Sequence, residues 1–295
     1  MEFRPGIGMI NQWMDRDCSA YFLNRLLEAG ASFVEFKVSA ERWAGREGQI
    51  ILALEQGLDV TFHASFAAQY NLALFDQAEG NEVRRRFLEL FSRVALIAKK
   101  KKSPALVNLH PAWGDLEADK EVLFERTARF LRWALCLIEE NGWDIRLFVE
   151  LLPRDEQKKK AGESTGDLLH LKEMVDPRNL SFCWDLGHYH LNRCACFEDG
   201  VPPGDFLRGV GHVHVHDVCG GVDHNPLVCG GVPIHEYLSL LRGSRLESEK
   251  PVGVALELKY ETSAERGDPF ELLFLSLAVL KKYIQSPGDL TRSAL

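Results

Sequence analysis

Six segments of this 295-residue chain run from apolar residues into a histidine or a carboxylate. They are Thr61-Phe62-His63, Asn108-Leu109-His110-Pro111, Phe148-Val149-Glu150, Cys183-Trp184-Asp185-Leu186-Gly187-His188, His212-Val213-His214-Val215-His216-Asp217 and Ala255-Leu256-Glu257. A lone histidine in such a place is ordinarily a satisfied core or rim residue. Six in succession are different, because burying several carboxylates and imidazoles together costs several kcal/mol per uncompensated charge, and a divalent cation is the simplest compensation. The chemistry on offer is that of a buried metal site. In the fifth segment, a period of two puts His212, His214 and His216 on one face with Val213 and Val215 on the other. That alternation leaves open which imidazole is a ligand and which give internal hydrogen bonds.

The elements that must position these residues follow from a repeat of strand-sized apolar runs and helical patterns. The runs cover residues 6–10, 33–38, 60–64, 105–110, 145–151, 180–186, 210–216 and 252–258. Between them lie segments with apolar residues at helical spacing, such as Val83, Phe87, Leu90, Phe91, Val94 and Ala98, or Leu123, Phe130, Leu131, Ala134, Leu135 and Ile138. Near-continuous apolar strands joined by helices indicate a parallel sheet buried on both faces. Eight such units predict an α/β fold closed into a (β/α)8 TIM barrel, with an open doubly wound sheet as the competing arrangement. Active residues of such a barrel collect at the carboxyl ends of its strands, where the six segments end. Gly6-Ile7-Gly8 lacks the third glycine and helix start of a nucleotide-binding loop and reads as a crowded first strand. No linker or composition shift divides the chain, so residues 1–295 are expected to form one domain.

Composition excludes other classes. With 46% hydrophobic and 26% charged residues the chain is neither disordered nor fibrous, and a formal charge of −8 disfavours a surface that attracts nucleic acid or anionic lipid as a whole. No stretch approaches the roughly 18 apolar residues that cross a bilayer, and Met1-Glu2-Phe3-Arg4-Pro5-Gly6 is not of signal-peptide type, so a cytoplasmic location is expected. Seven cysteines, Cys194, Cys196, Cys219 and Cys229 among them, are expected to be plain thiols.

The order Glu150, Asp185-x-x-His188, Gly211-His212-x-His214 and Glu257 on the fifth to eighth runs resembles the xylose isomerase-like barrel superfamily. That superfamily holds sugar and sugar-phosphate isomerases and epimerases together with the endonuclease IV family, and the likeness spans roughly residues 33 to 260. In the epimerase branch the resemblance implies one divalent metal (Mn, Co, Mg or Zn) on Glu150, Asp185, His214 and Glu257, with both glutamates serving as acid and base. It implies in the nuclease branch up to three zinc ions and cleavage of abasic DNA, with further ligands at His63, His110, His188 and an Asp-x-His pair. Asp223 and His224 are adjacent here, and His224-Asn225-Pro226-Leu227 resembles the H-x-P-L turn of the isomerases. The G-E-G that usually follows is replaced by Cys229-Gly230-Gly231.

Three further residues are substrate-binding candidates: Trp113, which follows His110-Pro111, Arg154, which heads a cluster with Lys158-Lys159-Lys160, and Lys259. The basic cluster follows the fifth run and so belongs to the active face, where it suits a substrate phosphate or a DNA backbone, with a plain solvent-exposed loop as the competing reading. Lys99-Lys100-Lys101-Lys102 closes a helix before a strand and is expected to be a solvated terminus on the opposite face. The expected function is metal-dependent isomerisation or epimerisation of a sugar or sugar phosphate, with the zinc phosphodiesterase as the alternative. A homo-oligomer is expected because such barrels often associate.

Overall fold

The computed structural model describes residues 1–75, 80–175, 180–198, 200–228, 230–244 and 251–285; Cys229 lies outside them. Eight strands close into a barrel: β1 (Phe3–Ile7), β2 (Phe33–Val38), β3 (Asp59–Ala64), β4 (Ala105–Leu109), β5 (Ile145–Glu150), β6 (Ser181–Asp185), β7 (Val210–Val215) and β8 (Val252–Leu256). Every neighbouring pair is parallel, and β1 pairs with both β8 and β2. This is the expected (β/α)8 barrel. Helices between the strands, including Gly80–Lys101 and Lys120–Glu140, cover its outer face. Val34, Phe36 and Val38 are buried, as an apolar run sandwiched between sheet and helices must be.

The first strand differs from expectation. The run at 6–10 is displaced to Phe3–Ile7, because Met9 takes a left-handed conformation (φ 49°) and Ile10–Met14 is already helical. Gly6 sits where the Phe33 ring fills the floor of the barrel, and a Cβ there would fall within that ring.

In the lysine run at the end of Gly80–Lys101, Lys99, Lys100 and Lys102 are exposed, as expected of a solvated terminus, and Lys101 alone departs from it. The Lys101 side chain is buried, and its ammonium donates to Asp59 Oδ1 (2.6 Å) and the Val60 carbonyl (3.0 Å) at the start of β3. A basic helix end is thereby tied to the next strand.

Two short antiparallel ribbons extend the carboxyl-terminal loops. Trp113–Asp115 pairs with Lys158–Lys160, and Asp217–Cys219 with Val222–Asn225. Among the described residues, no helix is long and apolar enough to cross a membrane.

Candidate metal centre and substrate cavity

Inward-facing positions of the strands build the site in layers. Register aligns Lys37 with His63 and His63 with Asn108 on one side of the barrel, and Asp185 with His214 and His214 with Ala255 on the other. Glu150, Asp185, His214 and Glu257 offer ligand atoms within 4.8 Å of one another, and all four are buried. His214 Nδ1 lies 3.2 Å from Glu257 Oε2, 3.7 Å from Glu150 Oε1 and 3.9 Å from Asp185 Oδ2.

On these four residues, Asp185 Oδ2 and both ring nitrogens of His214 are buried without a hydrogen-bond partner among the described residues, and Asp185 Oδ2 and His214 Nδ1 face the cluster. Leaving such groups unsatisfied is costly, and three buried carboxylates around one imidazole are a donor set suited to a divalent cation. The residues therefore fit the ion that their chemistry implies. The other oxygen, Asp185 Oδ1, accepts the His188 N–H (2.7 Å) and caps the helix Leu186–Cys194, which fixes the carboxylate at the strand end.

His212 and His214 of β7, and His216 just past its end, lie at successive depths. His212 Nε2 bonds Glu35 Oε2 (2.9 Å), deepest in the barrel. His214 lies in the middle, its Nε2 2.9 Å from Glu35 Oε1 in an oblique approach that is not a straight hydrogen bond. His216 follows at the end of the strand, 3.1 Å from Asp185 Oδ1 and stacked on His224. Gly187 makes room for the His216 ring, which a Cβ would overlap.

Neighbouring imidazoles hold the carboxylates ionised. Burial alone would raise the Glu150 pKa, but His110 and His214 outweigh it and hold the carboxyl well below its usual range. Glu257 is likewise lowered against burial, by His214 and His224, and Asp185 by His188 and His216. Burial pulls His188 down to about 4, whereas Asp223 and Glu257 overcome burial at His224 and lift it to about 9.

A cavity of about 390 Å³ opens above this cluster. His63, His110, His188, Asp223 and His224 all line it, as do Trp113 and Lys259. His63 Nε2 is 3.0 Å and His110 Nε2 3.4 Å from Glu150 Oε2, while Lys259 pairs with Asp223 (2.7 Å). Arg154 does not join them. Its guanidinium lies over the Phe197 ring (4.7 Å) and lines a separate depression with Lys120 and Asn192. Lys158 and Lys160 of the same basic cluster do reach the cavity.

Sequence reasoning passed over Glu35, Lys37, Asn108 and Phe66. Asn108 donates to Glu150 Oε2 (2.5 Å), and Phe66 stacks flat on His110 (4.8 Å, 5°). The signal for Glu35 and Lys37 was present: two charges two residues apart share the inward face of β2, a strand otherwise apolar on both faces.

A family model described as xylose isomerase-like TIM barrel matches residues 23–271. The chain belongs to the xylose isomerase-like TIM barrel family. Solved structures share this family's barrel over nearly the whole chain. A D-psicose 3-epimerase determined in the presence of D-fructose aligns with a TM-score of 0.68 at 17% identity, covering 96% of this chain and 100% of that one. The D-psicose 3-epimerase of Clostridium cellulolyticum H10, with D-tagatose, gives 0.66 at 15%, covering 96% and 100%. An E. coli 3-keto-D-glucoside 4-epimerase gives 0.67 at 15%, covering 95% and 100%. At these identities the likeness establishes the fold. No curated protein matches the sequence.

Proposed function

We propose that this barrel is a divalent-metal-dependent sugar isomerase or epimerase that moves a proton at the carbon beside a ketose carbonyl. One observation carries the reading. Of the four clustered ligands, Glu150 and Glu257 border the cavity, whereas Asp185 and His214 are not among its lining residues. Only the two glutamates touch both the metal position and the space a sugar would occupy. The solved epimerases named above are consistent with this class of substrate.

Glu150, Asp185, His214 and Glu257 would hold the ion. When bound, it would polarise the carbonyl and stabilise the negative charge that develops on its oxygen. Proton traffic falls to the glutamates. Both are kept ionised, so either can take the proton from carbon; return on the opposite face falls to the other glutamate after it has taken up a proton from solvent in the open cavity. Asn108 and His63 hold Glu150 Oε2 in place, which leaves Oε1 on the side of His214. His188, Trp113 and Lys259 line the walls and would orient the sugar.

The test is exchange of substrate hydrogen with deuterated water at saturating metal, over a panel of ketoses. Glu150→Gln and Glu257→Gln should each slow exchange by roughly 10²–10⁴-fold, the range for a lost general acid or base. Exchange at the wild-type rate in both variants would refute the acid–base roles.

A second reading has its own support. His63, His110 and Glu150 form one further candidate ligand group, and His188, His216 and His224 another. These favour the zinc phosphodiesterase acting on abasic DNA, and metal stoichiometry separates the readings: one divalent ion per chain for the isomerase, close to three zinc ions for the nuclease.

A further inference from the structure

Four lysines line the cavity: Lys37, Lys158, Lys160 and Lys259. Two are neutralised within the protein, Lys160 by Asp155 (3.5 Å) and Lys259 by Asp223 (2.7 Å). The other two rest on aromatic rings. Lys37 Nζ is 3.3 Å from the centroid of Phe66, and Lys158 Nζ 4.0 Å from that of Trp113. Neither ammonium has an ion-pair partner among the described residues.

Such a placement needs a reason, because a lysine that loses water without gaining a counter-charge is disfavoured. The ring contact returns only about 0.5–1 kcal/mol at exposed sites and about 2 when desolvated. An anion offering charge-assisted hydrogen bonds would displace it readily. Lys37 is also held in position. Its N–H donates to Asn11 Oδ1 (2.7 Å) and its carbonyl accepts from Asn11 Nδ2 (3.2 Å), so the end of β2 is clamped where the side chain enters the cavity. The carboxylates at the floor act on Lys37 only from beyond ion-pair distance: Glu257 and Glu150 favour its charged form without forming a salt bridge. Glu150, Asp185 and Glu257 already face imidazoles and the position of a divalent ion.

We propose that the substrate is an anionic sugar, a ketose phosphate monoester, whose phosphate is received by Lys37 and Lys158 at the cavity wall while its carbonyl end faces Glu150 and Glu257. This rests on the isomerase or epimerase reading of the same site. A neutral ketose leaves both ammonium groups without an ion-pair partner, and a phosphate dianion would supply one. Burial lowers Lys37 to about 8, although Glu257 and Glu150 pull it the other way.

The experiment is calorimetric titration of the metal-loaded protein with two pairs of probes, D-fructose against D-fructose 6-phosphate and D-ribulose against D-ribulose 5-phosphate. At least one phosphate should bind about tenfold or more tightly than its parent sugar, and Lys37→Met and Lys158→Met should remove that preference. Metal content by elemental analysis should stay at the wild-type value in both variants, which separates lost recognition from a failed fold. Equal affinities within both pairs would overturn the inference, as would a preference that survives both substitutions, since the ion would then be holding the phosphate. Hydrogen exchange in deuterated water distinguishes the two proposals. Lysine-dependent phosphate binding without exchange in any ketose refutes the reaction and keeps this inference, whereas exchange in a neutral ketose with no phosphate preference does the reverse.

Discussion

Glu35 Oε1 lies 2.9 Å from His214 Nε2, on the opposite side of the imidazole from the nitrogen that faces Glu257, Glu150 and Asp185. A ring nitrogen this close to a carboxylate oxygen must carry its proton, or two lone pairs would meet. With a cation bound, Nδ1 would be the nitrogen that offers it a lone pair. Burial would raise the Glu35 pKa, but His214 and His212 hold it well below the usual carboxylate range, so the orienting charge is present at neutral pH. Glu35→Gln should weaken divalent metal binding by about 10–100-fold, the range for a lost partner of a ligating histidine. Titration with Co²⁺ checks this, with an altered visible spectrum expected in the variant. Unchanged affinity and spectrum would refute the orienting role.

Asp185→Asn separates the two roles of that side chain. The amide oxygen can still accept the His188 N–H and cap the helix Leu186–Cys194, while the charge offered to a cation is gone. The variant should stay folded by circular dichroism and lose bound metal on elemental analysis. His214→Ala should likewise lose metal and stay folded, because the layers of the barrel do not depend on the ion.

His63→Ala and His110→Ala distinguish the isomerase from the nuclease. Both rings approach Glu150 Oε2 and line the cavity. For an isomerase with one ion, the variants keep their metal and bind sugar roughly tenfold or more weakly, as expected when hydrogen bonds to polar substrate groups are lost. Loss of bound zinc together with cleavage of abasic DNA by the unaltered protein would decide for the nuclease.

Lys37 predicts a pH profile for phosphate recognition. Burial lowers its pKa most, Glu257 and Glu150 raise it, Arg42 and Lys259 lower it, and the balance is about 8 against an ordinary 10.5. The charged form binds the anion, so affinity should fall as pH rises through about 8, far below the point at which an exposed lysine discharges. At the acid end a phosphate monoester becomes a dianion above about pH 6. Preference for phosphate over the parent sugar should therefore peak between these limits in a calorimetric pH series, and Lys37→Arg should carry the alkaline limb upward.

The local code determined much of this protein. Alternation of apolar runs and helical patterns specified eight strands and pointed to a closed barrel over an open sheet. The residues at the strand ends could be read directly, because period-two alternation is a property of neighbours in the chain. Closure decided the rest. Glu35 and His212 stand 177 positions apart and meet only because the barrel brings β2 and β7 to opposite sides of one narrow interior. The same long-range register set the depths of His212, His214 and His216, placing the first two against the two oxygens of Glu35 and the third against Asp185. It also split one basic cluster, turning Arg154 onto Phe197 and Lys158 into the cavity through the pairing of Lys158–Lys160 with Trp113–Asp115. A side chain's face follows from its neighbours in sequence, whereas its depth and its partner follow from strands that meet only when the sheet closes.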